Sequence, residues 1–170
     1  MLIIPHVLLG AALGSEVGNV PGQAAVAFGV GWASHYVLDA LPHWERLYGR
    51  RSNFKINSGE KWPVHIWYQG LVDAVLAILI LGMALYFRGS LTSFEISPIF
   101  WGAVGAMMPD LLDNMPFWNK YLHQFKIFQW HYKFHVFSHI TEEQTEKFPE
   151  YVGLLTQLII IGGSLWLLLK

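Results

Sequence analysis

Residues Leu71–Phe87 read LVDAVLAILILGMALYF, an apolar run in which Asp73 is the one charged residue. Together with its flanks, from residue 62 to residue 89, this run predicts a helix of more than 20 residues, long enough to cross the hydrocarbon core of a bilayer. A second run, Leu154–Leu169, contains no charged residue and predicts a second spanning helix. The two runs together favour a membrane protein.

The composition of the 170-residue chain agrees with that interpretation. Hydrophobic residues make up 54% of it and charged residues only 14%, whereas a soluble domain carries about 25% charged residues. The net charge of −1 provides no basic field for nucleic acid. The chain has no cysteine, which excludes disulfides, thiolate-ligated zinc and iron–sulfur clusters. We expect one membrane-embedded domain over residues 1–170.

The predicted fold class is all-α, a multi-spanning transmembrane bundle of about six helices. Only the third and sixth helices are predicted to be full spans, because the others are short or carry polar groups. Gly10, Gly14 and Gly18 are spaced four apart and predict the close approach of a neighbouring helix. The six helices cover residues of about 5–14, 23–41, 62–89, 97–112, 117–139 and 150–169.

Ionisable residues fall at particular ends of these helices. Helices joined by short connections run antiparallel, so the start of the first, the end of the second, the start of the third and the end of the fourth share one membrane face. His6, Asp39, Asp73 and Asp110 mark those four places. Charged residues within spans are costly, so their presence favours function. We therefore expect a polar His/Asp site at one membrane face.

The spacing of these residues indicates metal ligation, since pairs at i and i+4 project from one helical face. Asp39, Asp73 and Asp110 are also expected to be catalytic. The competing interpretation is a set of unrelated structural polar contacts. We expect His123 and the stretch 142–146 to belong to a solvated face. The expected metal ligands are His6, His35, Asp39, Asp73, Asp110, His135 and His139. The expected supporting residues around them are His43, His65, Asp113 and His131.

Nitrogen and carboxylate donors without thiolate suit zinc, manganese or iron. We expect divalent zinc, with manganese and iron as alternatives. The seven candidate ligands exceed what one tetrahedral zinc ion uses, so the expected number of ions is one to three. Clustered ions of this kind activate water and stabilise both oxygens in phosphoester hydrolysis. The residues are therefore consistent with a metal-dependent hydrolase.

The sequence also predicts how the protein lies in a membrane. Residues 45–61 hold five basic and two acidic residues, so by the positive-inside rule this segment is cytoplasmic. We expect an integral protein of a prokaryotic inner membrane with the site on the cytoplasmic side. The aromatic residues and lysines of residues 117–139 are typical of the headgroup level, and they would also suit contact with a lipid substrate. Lipid is thus the expected environment and a candidate substrate, while the oligomeric state is left open.

Four short motifs resemble the predicted membrane-bound metal-dependent hydrolases, which include the LexA-binding, inner-membrane-associated hydrolases. The motifs are Pro5-His6-x-x-Leu9-Gly10, Ser34-His35-Tyr36-x-x-Asp39-x-x-Pro42-His43, Gly105-x-x-x-Pro109-Asp110 and Phe134-His135-x-x-x-His139. The order of the His and Asp residues is more distantly similar to zinc-dependent phospholipase C, an all-helical enzyme with three metals.

This resemblance implies a metal-dependent phosphoesterase with six ligands, namely His6, His35, Asp39, Asp110, His135 and His139. One departure concerns the amino terminus. The phospholipases are soluble and secreted, and their N-terminal amine is a metal ligand, whereas here Met1 precedes His6 by five positions in an apolar segment. The number of metals is therefore not carried over.

Three other functions compete with a hydrolase. A metal- or proton-handling transport protein would use the same His/Asp cluster as a pathway, but it should place ionisable groups near the midplane with access from both sides. A haem-binding bundle needs axial histidines and gains little from so many carboxylates. A purely structural or interaction protein is the third.

Overall fold

The structure, a computed structural model, describes residues 2–18, 20–43, 64–89, 92–115, 117–139 and 147–170, with the side chains of residues 64–67, 94 and 150 outside this description. Within these ranges the regular structure is helical and contains no strand, which confirms the all-α class. The described helices are α1 (Ile3–Ser15), α2 (Gln23–Asp39), α3 (Val64–Arg88), α4 (Ser93–Asn114), α5 (Asn119–Leu122), α6 (Lys126–Ser138) and α7 (Glu150–Leu169).

Helix α1 is the centre of the bundle, because it packs against α2, α3, α4 and α7. Helices α2 and α4 also pack against each other, and so do α3 and α7. The buried core contains Leu8 and Ala11 from α1, Ile99 from α4 and Leu168 from α7. The short apolar helix α1 thus has four helices of the protein as its neighbours.

Glycines allow α1, α2 and α4 to approach closely. A Cβ added at Gly10 would lie 2.4 Å from the carbonyl oxygen of Gly102, and one at Gly31 would lie 2.1 Å from that same oxygen. Gly14 meets the backbone of α4 in the same way. The predicted close approach is therefore confirmed at Gly10 and Gly14. It is wrong at Gly18, which lies beyond the end of α1 and has no neighbour within 4 Å of a built Cβ.

Two helix boundaries differ from the prediction because of side-chain contacts. Helix α4 begins at Ser93 instead of near residue 97, because Thr92 and Glu95 form a capping box. The predicted helix over residues 117–139 is wrong as one element, since it divides into α5 and α6. His123 contacts Asp113 at 3.2 Å, and the Gln129 side chain donates to the His123 carbonyl oxygen at 2.8 Å. That carbonyl would otherwise accept the bond of a continuous helix.

Contacts identify the two ends of the bundle. At one end, the Ile3 amide donates to the Asp73 carboxylate, so the start of α1 lies beside the first half of α3. At the other end, Lys170 pairs with Glu16 at 3.0 Å, and Arg88 donates to the Leu168 carbonyl oxygen at 3.1 Å. The ends of α1, α3 and α7 therefore meet there. We call the end of the bundle at which α1 begins the site end.

Two helical stretches, Tyr68–Arg88 and Tyr151–Leu169, are long and apolar enough to cross a membrane. Their outer faces leave large apolar side chains exposed, among them Ile78, Phe87 and Leu158. The third and sixth predicted helices thus have the length and composition of membrane spans. Among the described residues these are two helices that could cross a membrane, fewer than the six helices predicted for the bundle. The basic segment 45–61, on which the predicted orientation depends, lies outside the described residues.

Candidate metal centre

His35, fully buried on α2, has a fixed tautomer. Its Nδ1 lies 2.8 Å from the carbonyl oxygen of Ala106 on α4, and a carbonyl only accepts hydrogen bonds. Nδ1 therefore carries the proton, so in the neutral ring Nε2 presents a lone pair.

His135, on α6, faces His35 across the centre. Its Nδ1 lies 2.8 Å from Oδ2 of Asp113, on α4, which orients the ring as a carboxylate does for a metal-bound histidine. The Nε2 atoms of His35 and His135 are 3.0 Å apart. Two lone pairs repel at this distance, so the arrangement needs a positive charge between the rings, either a proton or a metal ion.

Asp39 brings a carboxylate to the same place. Its Oδ2 is 2.9 Å from Nε2 of His35, 3.3 Å from Nε2 of His135 and 3.1 Å from Nε2 of His139. Ligands bound tetrahedrally at zinc distances lie about 3.3 Å from one another. The donor atoms therefore already have the spacing of a coordination shell.

His6 adds a donor from α1. It is almost completely buried, yet neither of its ring nitrogens makes a hydrogen bond. Its Nε2 is 3.2 Å from Oδ1 of Asp39, and its ring stacks on His35 with centroids 4.2 Å apart. A buried imidazole that lacks a hydrogen bond is costly in a protein and ordinary in a metal ligand. Two overlapping groups of possible ligands result, His6/His35/Asp110 and His35/Asp39/His135.

The centre opens to solvent at Asp110 and His139. Both side chains are 33% exposed, whereas those of His35, Asp39 and His135 are nearly or fully buried. Oδ1 of Asp110 lies 3.9 Å from Nε2 of His35 and 3.7 Å from Nε2 of His135. A reactant entering from water would therefore meet these two residues first.

The charges at the centre are coupled through hydrogen bonds. Burial raises the pKa of Asp39, but hydrogen bonds from His135 and His139 outweigh it and hold that pKa well below its ordinary range. Burial lowers the pKa of His135, but its hydrogen bonds to Asp113 and Asp39 prevail and raise it to about 9. At neutral pH, the metal-free centre thus carries a proton on His135 at the place where a cation fits.

Asp113 is a fully buried anchor behind His135. Besides His135, it contacts Nδ1 of His131 at 3.0 Å and Nε2 of His123 at 3.2 Å. Burial raises the pKa of Asp113, but hydrogen bonds from His131 and His135 hold it well below its ordinary value. The Tyr36 hydroxyl in turn lies 2.8 Å from Nε2 of His131. Asp113 thus fixes the histidines of the α5–α6 region to α4.

Most of the predicted ligands come together, namely His6, His35, Asp39, Asp110, His135 and His139. Asp73 is placed one turn from His6, where it accepts from the amide at the start of α1. That contact caps a helix, and the metal-ligating and catalytic roles of Asp73 stay predictions. His43 lies against His139, with ring centroids 5.9 Å apart. The side chain of His65 and the stretch 142–146 lie outside the described residues.

The prediction missed three residues that support the centre. His123, expected on a solvated face, contacts Asp113. Tyr36 accepts from Trp32 at 2.7 Å and contacts His131. Asn114 donates to Asp110 at 2.7 Å. The i, i+4 spacing of Trp32 with Tyr36 and of Asp110 with Asn114 was available in the sequence, but spacing alone does not indicate what lies across from it.

The buried histidines and carboxylates thus fit a divalent ion of the zinc, manganese or iron kind. In comparisons with protein-family models, with curated proteins and with solved structures, the chain has no match. The metal centre is therefore supported by the geometry of the residues, and the resemblance to the membrane-bound hydrolases stays a prediction.

Proposed function

We propose that this protein is a membrane-embedded, metal-dependent hydrolase, a phosphoesterase that acts on a phospholipid or a lipid-linked phosphate. One observation carries the proposal. Nε2 of His35 and Nε2 of His135 lie 3.0 Å apart beside the Asp39 carboxylate, and their Nδ1 atoms are already bonded elsewhere. We propose zinc as the ion, with manganese and iron as the alternatives that elemental analysis would distinguish.

The residues of the centre divide into holding and reacting roles. The residues that would hold the ion are His6, His35, Asp39, His135 and His139, and the ion would supply a Lewis acid that acidifies water and polarises a P–O bond. Of the carboxylates in the centre, Asp110 is the one open to solvent. In the proposed reaction water adds to phosphorus, Asp110 accepts the proton of that water, and the ester P–O bond breaks. The lipid alcohol leaves and takes up a proton from solvent.

The proposed location of the site follows from connectivity. Asp39 ends α2 at the site end, and α3 runs from the side of that end toward the far end, where Arg88 lies. Residues 45–61, which join α2 to α3 in the sequence, are strongly basic. The positive-inside rule therefore supports a site on the cytoplasmic side of a prokaryotic inner membrane.

The polar contacts at the far end bear on the transport alternative. Lys170 with Glu16 and Arg88 with Leu168 connect the helix ends there, while the His/Asp cluster lies at the site end. A centre reached from one aqueous face supports a hydrolase more than a transport pathway, which needs access from both faces.

The test combines metal content with hydrolysis. We expect detergent-purified protein to contain at least one zinc, manganese or iron ion per chain and to hydrolyse a phospholipid or a lipid-linked phosphate within a panel. A chelator should abolish hydrolysis, and zinc should restore it. Asp110→Asn should retain metal and lose about 100-fold or more of the rate, as expected for the loss of a general base.

Glu16→Gln provides the matched control, because it removes a carboxylate at the far end of the bundle and should keep both metal and activity. Protein without stoichiometric metal would contradict the centre itself. Stoichiometric metal with a chelator-resistant or absent hydrolysis would contradict the enzyme and leave the metal centre in place.

A further inference from the structure

Helix α6 has two different faces. Its inner face carries His131 and His135, and His135 is the one residue of this helix that is buried. Its outer face carries Lys126, Trp130, Lys133 and Phe137, spaced by four, three and four residues, so that they form one stripe along the helix. Trp130 is 70% exposed and Phe137 83%. We call these four residues the outer stripe.

The outer stripe belongs to a longer positively charged and aromatic segment. Residues 117–139 contain three lysines and neither aspartate nor glutamate. Lysine and aromatic residues mixed on one helical face are typical of helices that lie in the headgroup layer of a membrane. The large exposed aromatic side chains of the segment are Phe117, Trp118, Tyr121, Phe125, Trp130, Phe134 and Phe137.

We propose that the outer stripe of α6 binds the headgroup layer of an anionic membrane leaflet. The excess of lysines complements anionic lipid, and each lysine near such a surface favours binding by about 1 kcal/mol, or about fivefold. The outer faces of α3 and α7 also leave large apolar side chains exposed. A second copy of the chain fits less well, because a symmetric contact would bring the lysines of both copies together.

This placement has a consequence for the centre. His135 lies between Lys133 and Phe137 in sequence but on the opposite face of α6, so the ligand cluster would sit at headgroup depth. The phosphate of a lipid would then lie at the level of Asp110 and His139, the solvent-facing edge. The inference rests on the proposed membrane placement and not on the proposed hydrolysis, so an experiment can contradict the membrane contact of α6 without contradicting the hydrolysis, and the reverse.

The absence of cysteine from the chain makes a direct test possible. Phe137→Cys carries an environment-sensitive fluorophore, and the protein is placed as single copies in nanodiscs of phosphatidylcholine alone or with phosphatidylglycerol. We expect the label to be quenched by brominated lipid and to shift to the blue when phosphatidylglycerol is present. Lys126→Gln with Lys133→Gln should lower the ratio of docked to undocked segment about 30-fold. Val20→Cys, in the turn between α1 and α2, is the matched control and should not respond.

The proposal is overturned if the label at residue 137 stays as accessible to water as the label at residue 20 in both lipid compositions. It is also overturned if burial is the same in both compositions and unchanged in the lysine variant. Burial that requires two copies in one disc would assign the surface to self-association instead. Retention of metal by the lysine variant shows that the fold at the centre is intact.

Discussion

The paired histidines show how single atoms define this centre. Each of His35 and His135 uses Nδ1 for a bond outside the cluster, and this leaves both Nε2 atoms facing each other. One positive charge must therefore lie between them. In the metal-free protein that charge is the proton of His135, and a bound metal ion would replace it.

Metal affinity should accordingly rise with pH. A metal ligand must be deprotonated, and the pKa of His135 in the metal-free protein is raised to about 9. Between pH 7 and 8.5 this residue is mostly protonated before metal binds, so each unit of increase in pH should tighten zinc binding about tenfold. Titration calorimetry in buffers of different ionisation enthalpy should show about one proton released per zinc. Affinity that does not change over this range would contradict the exchange of proton for metal.

Asp113 should act on the metal through His135 alone. Asp113→Asn keeps the shape of the side chain but weakens the bond to Nδ1 of His135, and loss of such a partner lowers metal affinity about 10- to 100-fold. Competition with a chromophoric zinc chelator measures this loss. His123→Gln is the comparison variant, because His123 contacts the other oxygen of Asp113 and should have the smaller effect. Equal effects of the two variants would mean that Asp113 only stabilises the fold.

At the residue scale, the sequence predicted which candidate ligands come together better than it predicted the residues that support them. The i, i+4 pair His35/Asp39 and the placement of Asp110 could be read from the sequence because each depends on one helix. The contact between His123 and Asp113 depends on the turn between α5 and α6, and that turn is itself held by the contact. The role of a residue that depends on such a tertiary contact cannot be predicted from the spacing of residues along one helix.

At the scale of elements, close packing of α1, α2 and α4 decides whether the candidate ligands meet. His6, Asp39 and Asp110 lie on these three helices, and the helices touch through glycine. The prediction recognised Gly10 and Gly14 but not Gly102, which faces both α1 and α2. The sequence of one helix shows where a small residue lies, but not how many other helices pack against that residue.

Two glycines of α2 provide a matched test of this packing. A Cβ at Gly31 would lie 2.1 Å from the Gly102 carbonyl oxygen, whereas a Cβ at Gly29 meets nothing within 4 Å. Gly31→Ala should therefore lower the free energy of unfolding by about 1–3 kcal/mol and weaken metal binding, because α2 must move away from α4. Gly29→Ala should be neutral or stabilising by up to about 1 kcal/mol. Thermal unfolding in detergent, together with metal content, would compare them, and equal behaviour would contradict helix contact at Gly31.

At the scale of the whole molecule, the bundle combines an apolar exterior with a polar site end. The two apolar runs and the one-sided His/Asp pattern could be predicted because they follow from composition and from alternating helix direction. The central position of α1 could not be predicted, because the sequence of a short apolar helix has the same pattern whether lipid or protein surrounds it. Contacts with four other helices decide that question in favour of protein.

Metal and anionic lipid should reinforce each other through α6. The inner face of α6 is held by the ligand cluster, and its outer stripe is the proposed membrane contact, so each ligand favours the same position of one helix. Coupling of this kind is reciprocal. Phosphatidylglycerol should tighten zinc binding by a factor on the order of ten, and zinc should favour the docked state of a label at Phe137→Cys by that same factor.

The lysine variant separates this coupling from simple binding. Lys126→Gln with Lys133→Gln should bind zinc in phosphatidylcholine nanodiscs as the unchanged protein does, because neither lysine touches the ligand cluster, and should lose the gain from phosphatidylglycerol. If zinc affinity is the same in both lipids while the label still responds to them, the two faces of α6 act independently. In that case α6 would be a fixed part of the bundle, and membrane composition would not reach the metal centre through it.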